Sequence, residues 1–198
     1  QPPPSLRIYA AAGNRLHGTI PPQMFPVTSG LRHVDLSGNA LNGSLPESLM
    51  GLSHVRLVNV SGNRVSGTVP SEGFVDIRRM GALREFDASD NELIGSLPPA
   101  LAGLATLRLL DLSRNALNGT LPAQQLAGLS LLSHLDLKGN QLEGTLPPEL
   151  GNLRRLRHLD LSGNRFEGPV PVGLVTGDAL EHLDISGNDL DWTSLGNQ

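Results

Sequence analysis

The chain has 198 residues, 38% of them hydrophobic and 38 of them leucine, which is enough apolar material for one ordinary core. Fifteen Lys and Arg against nineteen Asp and Glu give a net charge of −4, too small and of the wrong sign to attract nucleic acid or an anionic membrane surface. No cysteine is present, so a disulfide framework, a thiolate metal site and a thiol nucleophile are all excluded, and 23 glycines with 15 prolines fall short of a disordered or collagen-like composition.

The opening QPPPSLRIYA has neither the basic nor the apolar region of a signal peptide, and nowhere do eighteen apolar residues run together. The rest of the chain is a repeat. The phrases LRHVDLSGNALNGSLP from Leu31, LREFDASDNELIGSLP from Leu83, LRLLDLSRNALNGTLP from Leu107, LSHLDLKGNQLEGTLP from Leu132 and LRHLDLSGNRFEGPVP from Leu156 are variants of one unit. Its anchors are Asn14, Asn39, Asn63, Asn91, Asn115, Asn140, Asn164 and Asn188, spaced by 25, 24, 28, 24, 25, 24 and 24 residues, so eight units fill the chain.

Each unit reads LxxLxLxxNxLxGxLPxxLxxL. Residues eight, five and three before each Asn are apolar, as at Leu156, Leu159 and Leu161, and the last two alternate as a short strand does. That predicts eight parallel strands. Each Asn stands where the chain leaves its strand, and an amide there can bond the backbone of its own turn and of the next unit, making a ladder. Four residues later comes Gly, at Gly18, Gly43, Gly67, Gly95, Gly119, Gly144 and Gly168, where a side chain would collide with the neighbouring coil or forbid the backbone angle. A Pro then ends the strand and starts a loose helical turn, as at Pro21 and Pro147.

With its GxLP half the frame resembles the plant-specific class of leucine-rich repeats over about residues 5 to 190. The resemblance implies an α/β architecture: a leucine-rich-repeat solenoid with a parallel sheet on its concave side and short 3-10 or helical turns on the convex side. Residues 1–198 are read as one solenoid domain with a longer loop at 71–82, where SEGFVDIRRMGA exceeds the frame by four residues, and an incomplete last repeat over 180–198, where Trp192 replaces the Gly. An open solenoid end leaves three or four core side chains half exposed, at a cost of about 3 to 4 kcal/mol, and members of the resembled class close their ends with cysteine-paired caps. The chain is therefore expected to be a segment of a longer ectodomain, or to have its ends covered by a partner.

Strand alternation puts the solvent-facing concave columns seven, six, four, two and one residues before each Asn. The outermost carries Arg7, Arg32, Arg56, Arg84, Arg108, Ser133, Arg157 and Glu181, and the column four before carries Asp35, Asp87, Asp111, Asp136, Asp160 and Asp184, so the two columns are expected to neutralise each other. They read as consensus residues that keep the sheet soluble, or as a polar strip for an extended peptide. Between them lie His33, Glu85, His134, His158 and His182. Three of these histidines fall in consecutive units about 4.8 Å apart, which reads as consensus, as a pH-tuned strip, or as a group able to share an ion. No metal site, cofactor or catalytic residue is assigned. The candidate ligand-binding residues are Arg32, His33, Arg56, Arg84, Glu85, Arg108, His134, Arg157, His158 and His182.

In resembled receptors that capture a peptide carboxylate, two arginines often stand six and four residues before the Asn. No unit here has that pair, and the concave columns hold no aromatic residue. Glycosylation acceptors occur at Asn42, Asn59 and Asn118, of which Asn59 faces the concave side. No GxSxG elbow, HExxH helix or phosphate loop is present, and an Asp column repeated through the chain is architecture rather than a catalytic pair.

The resemblance implies part of the extracellular region of a plant receptor-like kinase or receptor-like protein. It would bind a peptide or protein ligand, a co-receptor, or both, at the cell surface, with the parent protein membrane-anchored and this segment soluble. Two alternatives stand beside it: a secreted inhibitor of pathogen polysaccharide-degrading enzymes, and an ice-binding surface built on the row Thr19, Ser44, Thr68, Ser96, Thr120 and Thr145.

Overall fold

In the computed structural model the described residues are 3, 5–26, 29–70 and 82–192. Within them the strands before each Asn, Ile8–Ala10, His33–Asp35, Leu57–Asn59, Glu85–Asp87, Leu109–Asp111, His134–Asp136, His158–Asp160 and His182–Asp184, pair in chain order as one parallel sheet. Its register is uniform: Val34 faces Val58, Val58 faces Phe86, and Leu135 faces Leu159. The expected loop at 71–82 lies, except for Ala82, outside the described residues. The sheet runs without a break from the strand before it to the strand after it, where the Arg84 amide donates to the Arg56 carbonyl at 2.8 Å.

A second parallel sheet goes beyond the eight strands that the repeat predicts. Its strands follow each Asn, at His17–Thr19, Ala40–Ser44, Arg64–Thr68, Glu92–Gly95, Ala116–Gly119, Gln141–Thr145, Arg165–Pro169 and Asp189–Asp191. The signal is present in the repeat as xLxGxL, in which Leu41 and Leu45, or Leu142 and Leu146, alternate inward, but the glycine between them masks it as a turn. That glycine has a left-handed φ, +71° at Gly43, and it lets the next coil pass close by. A Cβ on Gly43 would lie 2.8 Å from the Thr19 methyl, whereas one on Gly18 would meet nothing within 4 Å. Gly18→Ala is therefore expected to cost about 1 kcal/mol of backbone strain, and Gly43→Ala about 1 kcal/mol more. Adding Thr19→Ser to Gly43→Ala should erase the difference in a urea titration, and equal costs for the two single variants would refute the steric part. The Ser/Thr row sits over these glycines and is exposed, so packing against the next coil accounts for its small residues.

On the far side, among the described residues, a Pro opens each short turn, 3-10 at Pro22–Met24, Pro99–Gly103 and Pro148–Asn152 and α-helical at Glu47–Met50, Ala123–Ala127 and Val172–Thr176. The core between these turns and the sheets is Leu-rich, with Phe25, Phe86 and Phe166 fully enclosed. Burial fades at the edges of the array. Leu6, Tyr9 and Ala11 at one end, and Leu180, Leu183 and Ile185 at the other, are only half-buried where their interior counterparts are sealed.

The asparagines form the ladder, with one correction of direction. In Asn39, Nδ2 donates to the Leu36 and Ser37 carbonyls of its own turn and to the Ala11 carbonyl of the preceding coil, while Oδ1 accepts from the Leu16 amide, also in the preceding coil. The bonds run back rather than forward, because the turn after the strand points Nδ2 and Oδ1 toward the coil already laid down. The same pattern holds at Asn63, Asn91, Asn115, Asn140, Asn164 and Asn188. Asn14, in the first coil, bonds only its own turn among the described residues and is exposed. Asn140 and Asn164 are the buried members.

Candidate functional site

In the interior three-residue strands of the first sheet the central residue enters the core, while the Asp column beside it runs from half-buried, as at Asn59 in Leu57–Asn59, to buried at Asp136 and Asp160. Arg32, Arg56, Arg84, Arg108 and Arg157 stand exposed along one rim, and each is held by a backbone bond to the residue before it in the row. Among the described residues Arg32, Arg56, Arg84, Arg108 and Arg157 form no ion pair with the Asp column, so the expected pairing of the two columns is not seen there. Each Asp turns back on its own strand end: Asp35 Oδ1 accepts from the Ser37 amide at 3.0 Å and the Ser37 hydroxyl at 2.7 Å, and Asp87, Asp111 and Asp160 do the same with Ser89, Ser113 and Ser162. A local two-point bond fixes the carboxylate more firmly than a distant, flexible guanidinium could. Arg157 pairs instead with Glu181 in its own row. Where Ser133 interrupts the arginines, Arg108, Arg154, Arg155 and Arg157 surround a shallow recess that also contains Asp178 and Glu181.

Asn59 takes the Asp position in its coil and accepts the same two bonds from Ser61, at 2.9 and 2.7 Å. It therefore lies half-buried on the concave face, whereas Asn42 and Asn118 are exposed on the second sheet. Asn59 also indicates what a neutral side chain does in this column. Burial pushes the neighbouring Asp87 carboxyl above its ordinary 3.8, and the charge of Asp111 adds to the rise against the lowering bonds from Ser89. A carboxyl raised in the folded state weakens folding once it ionises. Asp87→Asn is accordingly expected to raise the urea midpoint at pH 7, with the gain shrinking as pH falls through the raised value and absent below about 3.8. The substitution creates an acceptor triplet, so the comparison uses bacterially produced protein; a lowered midpoint at pH 7 would contradict it. Asp184, in the strand His182–Asp184, is shifted the other way by the Ser186 hydroxyl and amide.

Register brings His134, His158 and His182 side by side, with ring centroids 4.0 and 4.3 Å apart and planes within 5° of parallel. Burial and then the neighbouring rings hold His158 below the ordinary 6.5, so it stays neutral where a lone imidazole would begin to charge. His33 shares the column but lies beside Leu57 rather than another histidine, and Glu85 lies between Leu57 and Leu109.

Three further residues of this face escape a reading of the repeat alone. Asp90 and Arg114 stand where other units have the Gly of SGN, and both adopt left-handed backbone, with φ of 51° and 53°. The phrases SDN and SRN are the signal. Such strain in non-glycine residues costs about 1 to 2 kcal/mol each, and Arg114 reaches Asp90 at 3.3 Å across the coils. Lys138 replaces the usual Ser, in LKGN, and its Nζ lies 3.6 Å from Asp136 and 3.7 Å from Asp160.

The description "Leucine rich repeat" matches residues 119–166, and a second model of that description matches residues 30–52 and 82–104. Receptor-like protein 7 of Arabidopsis thaliana is 35% identical over 124 residues, covering 60% of this chain and 11% of that protein. The chain thus spans about a tenth of this relative. Among solved structures, a TDR receptor superposes with a TM-score of 0.88 at 31% identity, covering 94% of this chain and 31% of that one. The Arabidopsis receptor kinase HAESA, solved in complex with the peptide hormone IDA and the co-receptor SERK1, superposes with a TM-score of 0.87 at 32% identity, covering 98% and 33%.

Proposed function

We propose that this chain, which belongs to the leucine-rich repeats in the form carried by plant receptor ectodomains, is a non-catalytic recognition module that holds a peptide or protein ligand, or a co-receptor, outside the cell. The observation that carries the reading is the unbroken register of the first sheet, which sets like columns at one spacing over eight coils. A surface of that kind suits an extended chain, whose own residues recur at a fixed rise. Its chemistry also narrows the ligand. The arginine rim, with the recess at Ser133, attracts carboxylates or other anionic groups, while Ile8, Leu57 and Leu109 offer the apolar contacts of the middle column. Asp90 and Arg114 add a charged pair held in strained backbone on the same face. HAESA, which binds a peptide with a co-receptor, supports the reading by its likeness in fold and sequence.

The test is selection of random displayed peptides on the purified protein. Enriched peptides are expected to be acidic and to lose at least tenfold in affinity against Arg84→Glu with Arg108→Glu, and to be indifferent to Glu143→Arg on the second sheet. Peptides indifferent to the first pair and lost with the second substitution would move recognition off the concave face.

A further inference from the structure

We propose that the histidine stack is a binding site for one borderline divalent transition-metal ion, of which Zn²⁺ is the representative. The ligand atoms of His134, Asp136 and His158 lie within 4.8 Å of one another, and so do those of His158, Asp160 and His182. Imidazole with carboxylate is the donor set that zinc, nickel and copper take, and one that calcium and magnesium do not favour. Tetrahedral zinc, with Zn–N of about 2.0 to 2.1 Å, needs its nitrogens roughly 3.3 Å apart. The two rings, with centroids 4.0 Å apart and planes 3° from parallel, reach that geometry by side-chain rotation that splays them and turns one nitrogen of each toward a shared ion.

The surroundings are built for the role. Asp136 and Asp160 each commit Oδ1 to the backbone amide two residues on, at 3.0 Å, which fixes the carboxylate and leaves Oδ2 facing the gap between coils. Both carboxylates are nine-tenths buried. A cation already stands there: the Lys138 ammonium lies between the two Oδ2 atoms, at 3.6 and 3.7 Å. Its side chain is about a third exposed and can swing into water, so an incoming ion replaces one positive charge by two at a place the chain has prepared for a cation. His158 belongs to both ligand groups, and two dications so close would repel, which sets the stoichiometry at one.

The experiment is calorimetric titration of the 198-residue chain with ZnCl₂ at pH 7.5, with imidazole NMR on the same sample. One equivalent is expected, moving the resonances of His134, His158 and His182 and leaving His33 in place. His158→Ala should weaken binding by a factor of about 100, His33→Ala should not change it, and Lys138→Ser should tighten it by about tenfold by removing the competing charge. If His158→Ala does not fold, the double variant His134→Ala with His182→Ala reads the same loss. Absence of saturable binding, unchanged affinity in either folded variant, or equal uptake of Ca²⁺ would overturn the site.

Discussion

Asn140→Ala is expected to destabilise the solenoid by about 3 to 4 kcal/mol. The amide makes four bonds: Nδ2 to the carbonyls of Leu112, Leu137 and Lys138, and Oδ1 from the Leu117 amide at 3.0 Å. They do not count equally. The Leu112 and Leu137 carbonyls keep a second asparagine, Asn115 and Asn164 respectively, whereas the Leu117 amide is left without a side-chain acceptor inside a fully enclosed residue. An orphaned buried donor costs about 1 to 3 kcal/mol, and the other lost bonds add about 0.5 to 1 kcal/mol each. Asn140→Asp should be as damaging, since an oxygen would then face three carbonyls. Asn14→Ala, whose amide bonds the Ala11 and Ala12 carbonyls of its own turn, should cost under about 1 kcal/mol. Urea unfolding gives the magnitudes, and hydrogen exchange at Leu117 locates the effect. A cost at Asn14 equal to that at Asn140, or unchanged protection of Leu117, would show that the ladder does not join the coils.

Gly151→Ala is expected to cost about 3 kcal/mol, and its neighbour Gly173→Ala about 1 kcal/mol or less. The two glycines meet on the convex side, one in the turn Pro148–Asn152 and the other in Val172–Thr176. A Cβ on Gly151 would lie 2.9 Å from both the Cα and the carbonyl carbon of Gly173, and backbone cannot step aside as a side-chain tip can. A Cβ on Gly173 would come no closer than 3.3 Å to Gly151 Cα, a strain that the better helix propensity of alanine partly offsets. Neither substitution meets a left-handed φ, so the asymmetry is purely one of space. Thermal melts of the two variants decide the matter: equal losses, or the larger loss at Gly173, would mean that coil spacing there is set by something other than this contact.

The sequence by itself determined the repeat, the strand before each Asn, the inward side chains and the glycines, because those depend on alternation and backbone angles within a single coil. It also placed the three histidines in one row, since a fixed frame with parallel strands leaves no other arrangement. Direction and partnership were decided by the folded geometry. The asparagines bond backward because the preceding coil offers its carbonyl and amide there, as Ala11 and Leu16 do for Asn39. The aspartates turn to their serines because a hydroxyl and an amide two residues away are nearer than an arginine side chain from another column. The second sheet, the meeting of Gly151 with Gly173 and the place of Lys138 between Asp136 and Asp160 belong to the tertiary structure alone: each exists only when one coil is laid on another, and a repeat read along the chain carries no distance across it.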